Sequence, residues 1–164
     1  MKLEVLGDAN SVARAAAVEI AADAREVIAA RGRFVLAVSG GCPPWIMLRA
    51  LAAEDVPWAH VHIFQVDERV APAGDPDRNL THLRESLIDH VPLRADQIHP
   101  MPVESPDLEA AAVEYSLALR DITGSPAALD LIHVGLGPDG HTASLVPGDP
   151  VLHVRNADVA VTEI

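Results

Sequence analysis

Two rhythms of apolar residues alternate along the chain. Residues 34–38, 61–66 and 129–136 are largely continuous apolar runs of strand length, with no polar face. Residues 11–30, 44–53, 79–89 and 107–123 instead space their apolar positions as a helix does. Asn10 or Ser11 suits the N-cap of the first helix, and Pro44 suits the opening turn of the second. Asp107 and Glu109 favour a helix start at that point. Residues 3–6 and 98–101 read as short strands, and residues 159–162 begin another. Strands that alternate with helices predict an α/β domain, a Rossmann-like parallel sheet with helices on both faces. Ligands of such sheets bind beyond the carboxyl ends of the strands. The loops that leave those ends are residues 39–43, 67–77 and 137–141, which are also the richest in polar residues and glycine.

Composition narrows the partners. The net charge of −12 repels phosphate backbones and anionic lipid, so neither nucleic acid nor a membrane is expected. No apolar run reaches the ~18 residues of a membrane span, and the N-terminus does not read as a signal peptide. Cys42 is the only cysteine, which excludes an internal disulfide and points to the cytoplasm. Lys2 is the only lysine, so a cationic phosphate clamp within this chain must be built from arginine or backbone amides.

The first loop, Ser39-Gly40-Gly41-Cys42-Pro43-Pro44, lies between a strand and a helix. Glycines admit close approach of an anion, and the helix start offers free amides and the positive dipole end. The segment is a phosphate cradle or a plain tight turn, and it lacks the Gly-Lys-Ser/Thr ending of a P-loop. Cys42 reads as a small packing residue rather than a nucleophile. Asp67-Glu68-Arg69 can be a salt-bridged turn or can supply a carboxylate and an arginine to a substrate. His60 and His62, two apart, share one face of a strand but have no third metal ligand near in sequence, so no metal site is expected.

Gly135-Leu136-Gly137-Pro138-Asp139-Gly140-His141 formally matches a dinucleotide fingerprint, with Asp158 downstream. Asp139 would set a negative charge against the pyrophosphate, and the motif is not in the first βαβ unit, so that reading fails. His141 instead suits a general base. A short helix over residues 142–145 would keep its imidazole neutral, and Asp139 would fix the tautomer. A capping histidine in a turn is the plainer alternative.

Together these loops resemble the 6-phosphogluconolactonase family, within the wider glucosamine-6-phosphate isomerase/6-phosphogluconolactonase family. The likeness runs from about Val5 to the end of the chain. It is carried by Ser39-Gly40-Gly41, by Asp67-Glu68-Arg69 with Asn79, and above all by Gly137-Pro138-Asp139-Gly140-His141-Thr142-Ala143-Ser144-Leu145-Val146-Pro147. The resemblance implies hydrolysis of 6-phospho-D-glucono-1,5-lactone in the oxidative pentose phosphate pathway, with no cofactor and a small sugar phosphate as the only partner. It implies His141 as the base and Asp139 as its orienting group. Ser39, Gly40, Gly41, Asp67, Arg69, Asn79 and Gly137 would contact substrate. It leaves the oligomeric state open.

Cys42 and Pro43 depart from the Ser/Thr-Thr usual after the glycines, which removes a hydroxyl and an amide donor from the cradle. Family members also continue beyond the position matching Ile164, so residues 1–164 are expected to be a single lactonase-like domain, incomplete at its C-terminal end, that leaves apolar sheet surface open. A glucosamine-6-phosphate deaminase would carry Asn-Glu after the histidine, where this chain has Ser144-Leu145. A non-catalytic sugar-phosphate binding module would not need the Asp139/His141 pair.

Overall fold

The computed structural model describes residues 3–163. Helix α1 (Ala9–Arg31) is capped by Asp8, whose carboxylate accepts from the Ser11 amide at 2.7 Å, two residues before the earliest expected cap. It ends at Gly32, which adopts φ 79°, a left-handed value that suits glycine, and donates back to the Ile28 carbonyl. Its inner stripe of Ala13, Ala17, Ile20, Ala21 and Ala24 is buried, and these small side chains let α2 (Cys42–Leu51) approach closely.

Strand β1 (Phe34–Val38) is buried along its whole length, as a central strand must be. It pairs in parallel with β2 (Val61–Gln65) on one side and with β4 (Leu131–His133) on the other. β2 pairs in turn with β3 (Ile98–His99), giving the order β3-β2-β1-β4. The chain therefore grows the sheet in one direction from β1 and then returns to the other side. The crevice between the ends of β1 and β4 is the switch point of the topology, where ligands of open α/β sheets bind.

Helices α1, α2 and α3 (Asn79–Ser86) cover one face through Phe34, Leu36, Val38, Val61 and Ile63. Helix α4 (Leu108–Thr123), capped by Asp107, covers the other through Val35, Ala37, Phe64, Tyr115 and Leu119. The Tyr115 hydroxyl is tied to β2 and β3: it accepts from the Gln65 amide at 2.8 Å and lies 3.1 Å from the His99 carbonyl, and burial raises its pKa. This second face is the thinner one. It holds an apolar cleft of about 560 Å³ between α4, β2 and residues 151–162, and Ile132 of β4 remains 54% exposed.

The expected parallel sheet with helices on both faces is present, but four expected strands are not drawn as foreseen, among them residues 98–101, of which only Ile98–His99 form a strand. Residues 3–6 are irregular and open to solvent, with Leu3 80% exposed, because no strand lies beside them. Residues 159–162 form no strand pairing among the described residues, although Val159 packs on the second apolar cluster. The run 129–136 shortens to Leu131–His133, the residues in ladder register with Leu36–Val38 of β1, while Asp130 just before them ties to Val35 by its amide and its carboxylate.

Candidate active site

The loops after β1, β2 and β4 meet at the crevice, and Asp67 is where they join. Its Oδ1 accepts from Ser39 Oγ at 3.1 Å and its Oδ2 from Ser144 Oγ at 2.9 Å. Its backbone carbonyl accepts from Asn79 Nδ2 at 3.0 Å. Residues Ser39, Gly40 and Gly41 carry the chain from β1 into α2, with Gly41 as N-cap at φ 111° and prolines in the first helical turn. The Gly40 and Gly41 amides donate to no acceptor among the described residues, so they are free for an anion at the positive end of α2. A Cβ on Gly40 would overlap the Asn79 carboxamide, so Asn79 braces this loop from behind. Cys42 is exposed at the start of α2 rather than packed inside, whereas Pro44, two residues on, is the first residue of the helix to be buried. Trp45 stacks on His82 at 3.8 Å between ring centres and closes the back of the loop.

Glu68 is spent on structure. Its side chain is fully buried and pairs with Arg78 at 3.2 Å, itself 3% exposed. It also accepts from the amides of Arg69, Asn79 and Leu80 and from Gln65 Nε2, all within 2.7–2.9 Å. Two of those amides open α3, so Glu68 caps that helix from a distance. Burial pushes its pKa up, but the hydrogen bonds from Gln65 and the three amides outweigh burial and hold it below the usual value. Arg69, next in sequence, is exposed at the loop surface.

Residues 137–145 form the third loop. His141 Nδ1 lies 2.5 Å from Asp139 Oδ1, and the His141 amide donates to the same oxygen at 3.2 Å. These contacts, the amide first, hold the Asp139 carboxyl below its usual pKa. The imidazole lies against Gly137 so closely that a Cβ there would collide with the ring. Gly137 thus makes room for the imidazole. With Nδ1 engaged, Nε2 is the nitrogen left for a reacting proton. No helix follows: residues 142–145 make a tight turn closed by the Leu145 amide on the Thr142 carbonyl at 3.0 Å, with Ala143 at φ 51°. The expected dipole of a helix start is absent, and the histidine is organised by Asp139 instead.

The structure brings Ser39, Gly40, Gly41 and Asn79 together beside Asp67, and Gly137, Asp139 and His141 into a second group tied to Asp67 through Ser144, while Arg69 stands exposed outside these contacts. No role was foreseen from sequence for Ser144, and Glu68, read there as part of a salt-bridged turn or a substrate contact, proves to pair with Arg78 in the interior. Ser144 stood inside the motif, whereas nothing local marks Arg78 among the residues of its loop. His60 and His62 do not share a strand face. His60 sits in the turn before β2, and His62 Nδ1 pairs with His99 Nε2 at 3.1 Å. Among the described residues no group of three His, Cys, Asp or Glu could hold a metal ion. The largely apolar cleft on the α4 face borders Asp67 and Ser144 and is lined mainly by aliphatic side chains such as Val66, Leu108, Ile132 and Val159.

Comparison with known proteins places this geometry in context. The model for glucosamine-6-phosphate isomerases/6-phosphogluconolactonase matches residues 7–163. The 6-phosphogluconolactonase of Mycobacterium tuberculosis is 35% identical over 98% of this chain, and that of Synechocystis 39% over 83%. The chain spans 69% and 58% of those two relatives. The crystal structure of 6-phosphogluconolactonase from Thermotoga maritima superposes with a TM-score of 0.78 at 25% identity, over 87% of this chain and 62% of that one.

Proposed function

The chain belongs to the glucosamine-6-phosphate isomerase/6-phosphogluconolactonase family, and from that premise we propose that it hydrolyses 6-phospho-D-glucono-1,5-lactone to 6-phosphogluconate in the cytoplasm, without a cofactor. The phosphate sits on the free amides of Gly40 and Gly41, beside Ser39 and the start of α2. The exposed Arg69 guanidinium grips the anionic substrate. His141 Nε2 takes a proton from water as the water oxygen bonds to the lactone carbonyl carbon. The tetrahedral adduct then collapses, the bond from that carbon to the ring oxygen breaks, and the imidazolium returns the proton to that oxygen. Asp139 holds Nδ1 and keeps its negative charge through the cycle. Asn79, Gly137 and Asp67 frame the site rather than grip substrate, because their polar or van der Waals surfaces already meet the protein.

The observation that carries this reading is the 2.5 Å contact of His141 with Asp139, with the ring seated on Gly137. A binding module has no use for a base so held. The test is the rate of lactone opening by the protein and by His141→Ala. Loss of a positioned base is expected to lower the rate by ~10²–10⁴-fold. Equal rates above the uncatalysed background would refute the assignment.

A further inference from the structure

Residues 137–145, which carry the base, are held almost entirely by themselves. The Gly137 amide bonds the His141 carbonyl, the Gly140 amide bonds the Gly137 carbonyl, Asp139 bonds His141, and Leu145 bonds Thr142. Among the described residues, one hydrogen bond joins this loop to another part of the protein: Ser144 Oγ to Asp67 Oδ2. The other oxygen of the same carboxylate holds Ser39, the first residue of the loop with the free amides. Ala143, between the base and Ser144, is the one non-glycine residue with positive φ among those described. An alanine resists that left-handed conformation, and here it turns the Ser144 hydroxyl toward Asp67.

We propose that Asp67 and Ser144 are positioning residues that fix the distance between the phosphate cradle and the base. This rests on the lactonase reading above. Asp67 does not act on substrate, for both of its oxygens are engaged by serines and a carboxylate facing a phosphate would repel it. It acts through Ser39 and Ser144 as a latch across the crevice between β1 and β4. A substrate whose phosphate is anchored at Gly40 and Gly41 then meets His141 at the right separation without first ordering the loop. Loss of the latch leaves phosphate binding intact and impairs the step that needs the base in register. Misplacement of a reacting group by about 1 Å costs up to ~10²-fold in rate.

The test compares Ser144→Ala, Ser144→Thr, Asp67→Asn and the double variant Ser144→Ala/Asp67→Asn in steady-state lactone hydrolysis, with His141→Ala alongside. Ser144→Ala is expected to lower kcat by roughly tenfold or more while KM stays within about twofold. Ser144→Thr, which keeps the hydroxyl, restores most of the rate. The double variant loses little beyond Asp67→Asn alone, because the two residues act as one unit. Amide hydrogen exchange over residues 137–145 rises in Ser144→Ala and not in Ser144→Thr, a readout independent of turnover. An unchanged kcat in Ser144→Ala beside an inactive His141→Ala overturns the latch and leaves the lactonase reading standing, as do additive losses in the double variant or unchanged exchange in Ser144→Ala. Full activity of His141→Ala overturns both.

Discussion

The loop between β2 and α3 and the loop after β4 each bring acidic side chains to one crevice, and they are built in opposite ways. In the first, Glu68 is wholly buried, paired with buried Arg78, and surrounded by four further donors. In the second, Asp139 is 49% exposed and its partner His141 37% exposed, and the loop leans on the rest of the protein through Ser144. The first acid fixes the frame. The second is left near solvent, beside the imidazole that we propose exchanges a proton with water. Two acidic motifs that look alike in a sequence thus differ in how many donors close around the carboxylate, which makes the first a scaffold and leaves the second open for the role proposed for it.

The sharpest way to break that contrast is to remove the scaffold acid. Glu68→Ala removes the carboxylate beside Arg78 Nε, leaving the guanidinium only the Ala71 carbonyl and the more distant Glu104, and uncaps α3; a broken buried pair typically costs ~3–5 kcal/mol. Urea unfolding should show a loss of that order, whereas His141→Ala, in the half-exposed loop, should unfold near the wild-type midpoint. A small loss in Glu68→Ala would mean that the buried pair is not what holds the frame.

A smaller effect is expected one residue further on. Arg69 is exposed where Glu68 is buried, so Arg69→Ala should leave stability nearly unchanged and raise KM by about tenfold with kcat largely retained, as loss of ground-state binding does. A fall in kcat at constant KM would place Arg69 in the transition state instead.

Smallest, and away from the crevice, is the acid response of the β2–β3 edge. Burial, and then the neighbouring His62, push the His99 pKa down from 6.5 to about 4. The folded state therefore binds fewer protons than the unfolded chain in that interval. The His99 contribution to stability is complete above pH 6.5 and is lost as pH falls from there toward 4. Glu68 responds later: its contribution holds above its ordinary 4.5 and fades as pH drops through its lower folded value. His99→Gln should flatten the stability profile between pH 6.5 and 4, and an unaltered profile there would show that His99 is not the group responsible.

Much of this was legible in the sequence, for physical reasons. β1 declared itself because a strand buried on both faces must be apolar throughout, and Asp107 because a capping aspartate has few other uses before an amphipathic run. The Asp139/His141 pair could be foreseen because two residues of a tight glycine turn cannot avoid each other. What the sequence could not show were bonds between distant segments. Ser144 meets Asp67 across 77 positions, and Glu68 caps a helix that starts 11 residues later. The expected helix after His141 failed because four residues closed by the bond from Leu145 to Thr142 complete a turn before a helix can propagate. The apparent strand at residues 3–6 failed because strand-like composition creates no strand without a neighbour.

If a rigid cradle binds the phosphate while a separately held His141 performs the chemistry, binding and turnover come apart in His141→Ala. Calorimetry with 6-phosphogluconate and the rate of lactone turnover measure the two. The dissociation constant is expected within about twofold of wild type and turnover lower by ~10²–10⁴-fold. Binding and turnover lost together, or neither lost, would contradict that separation.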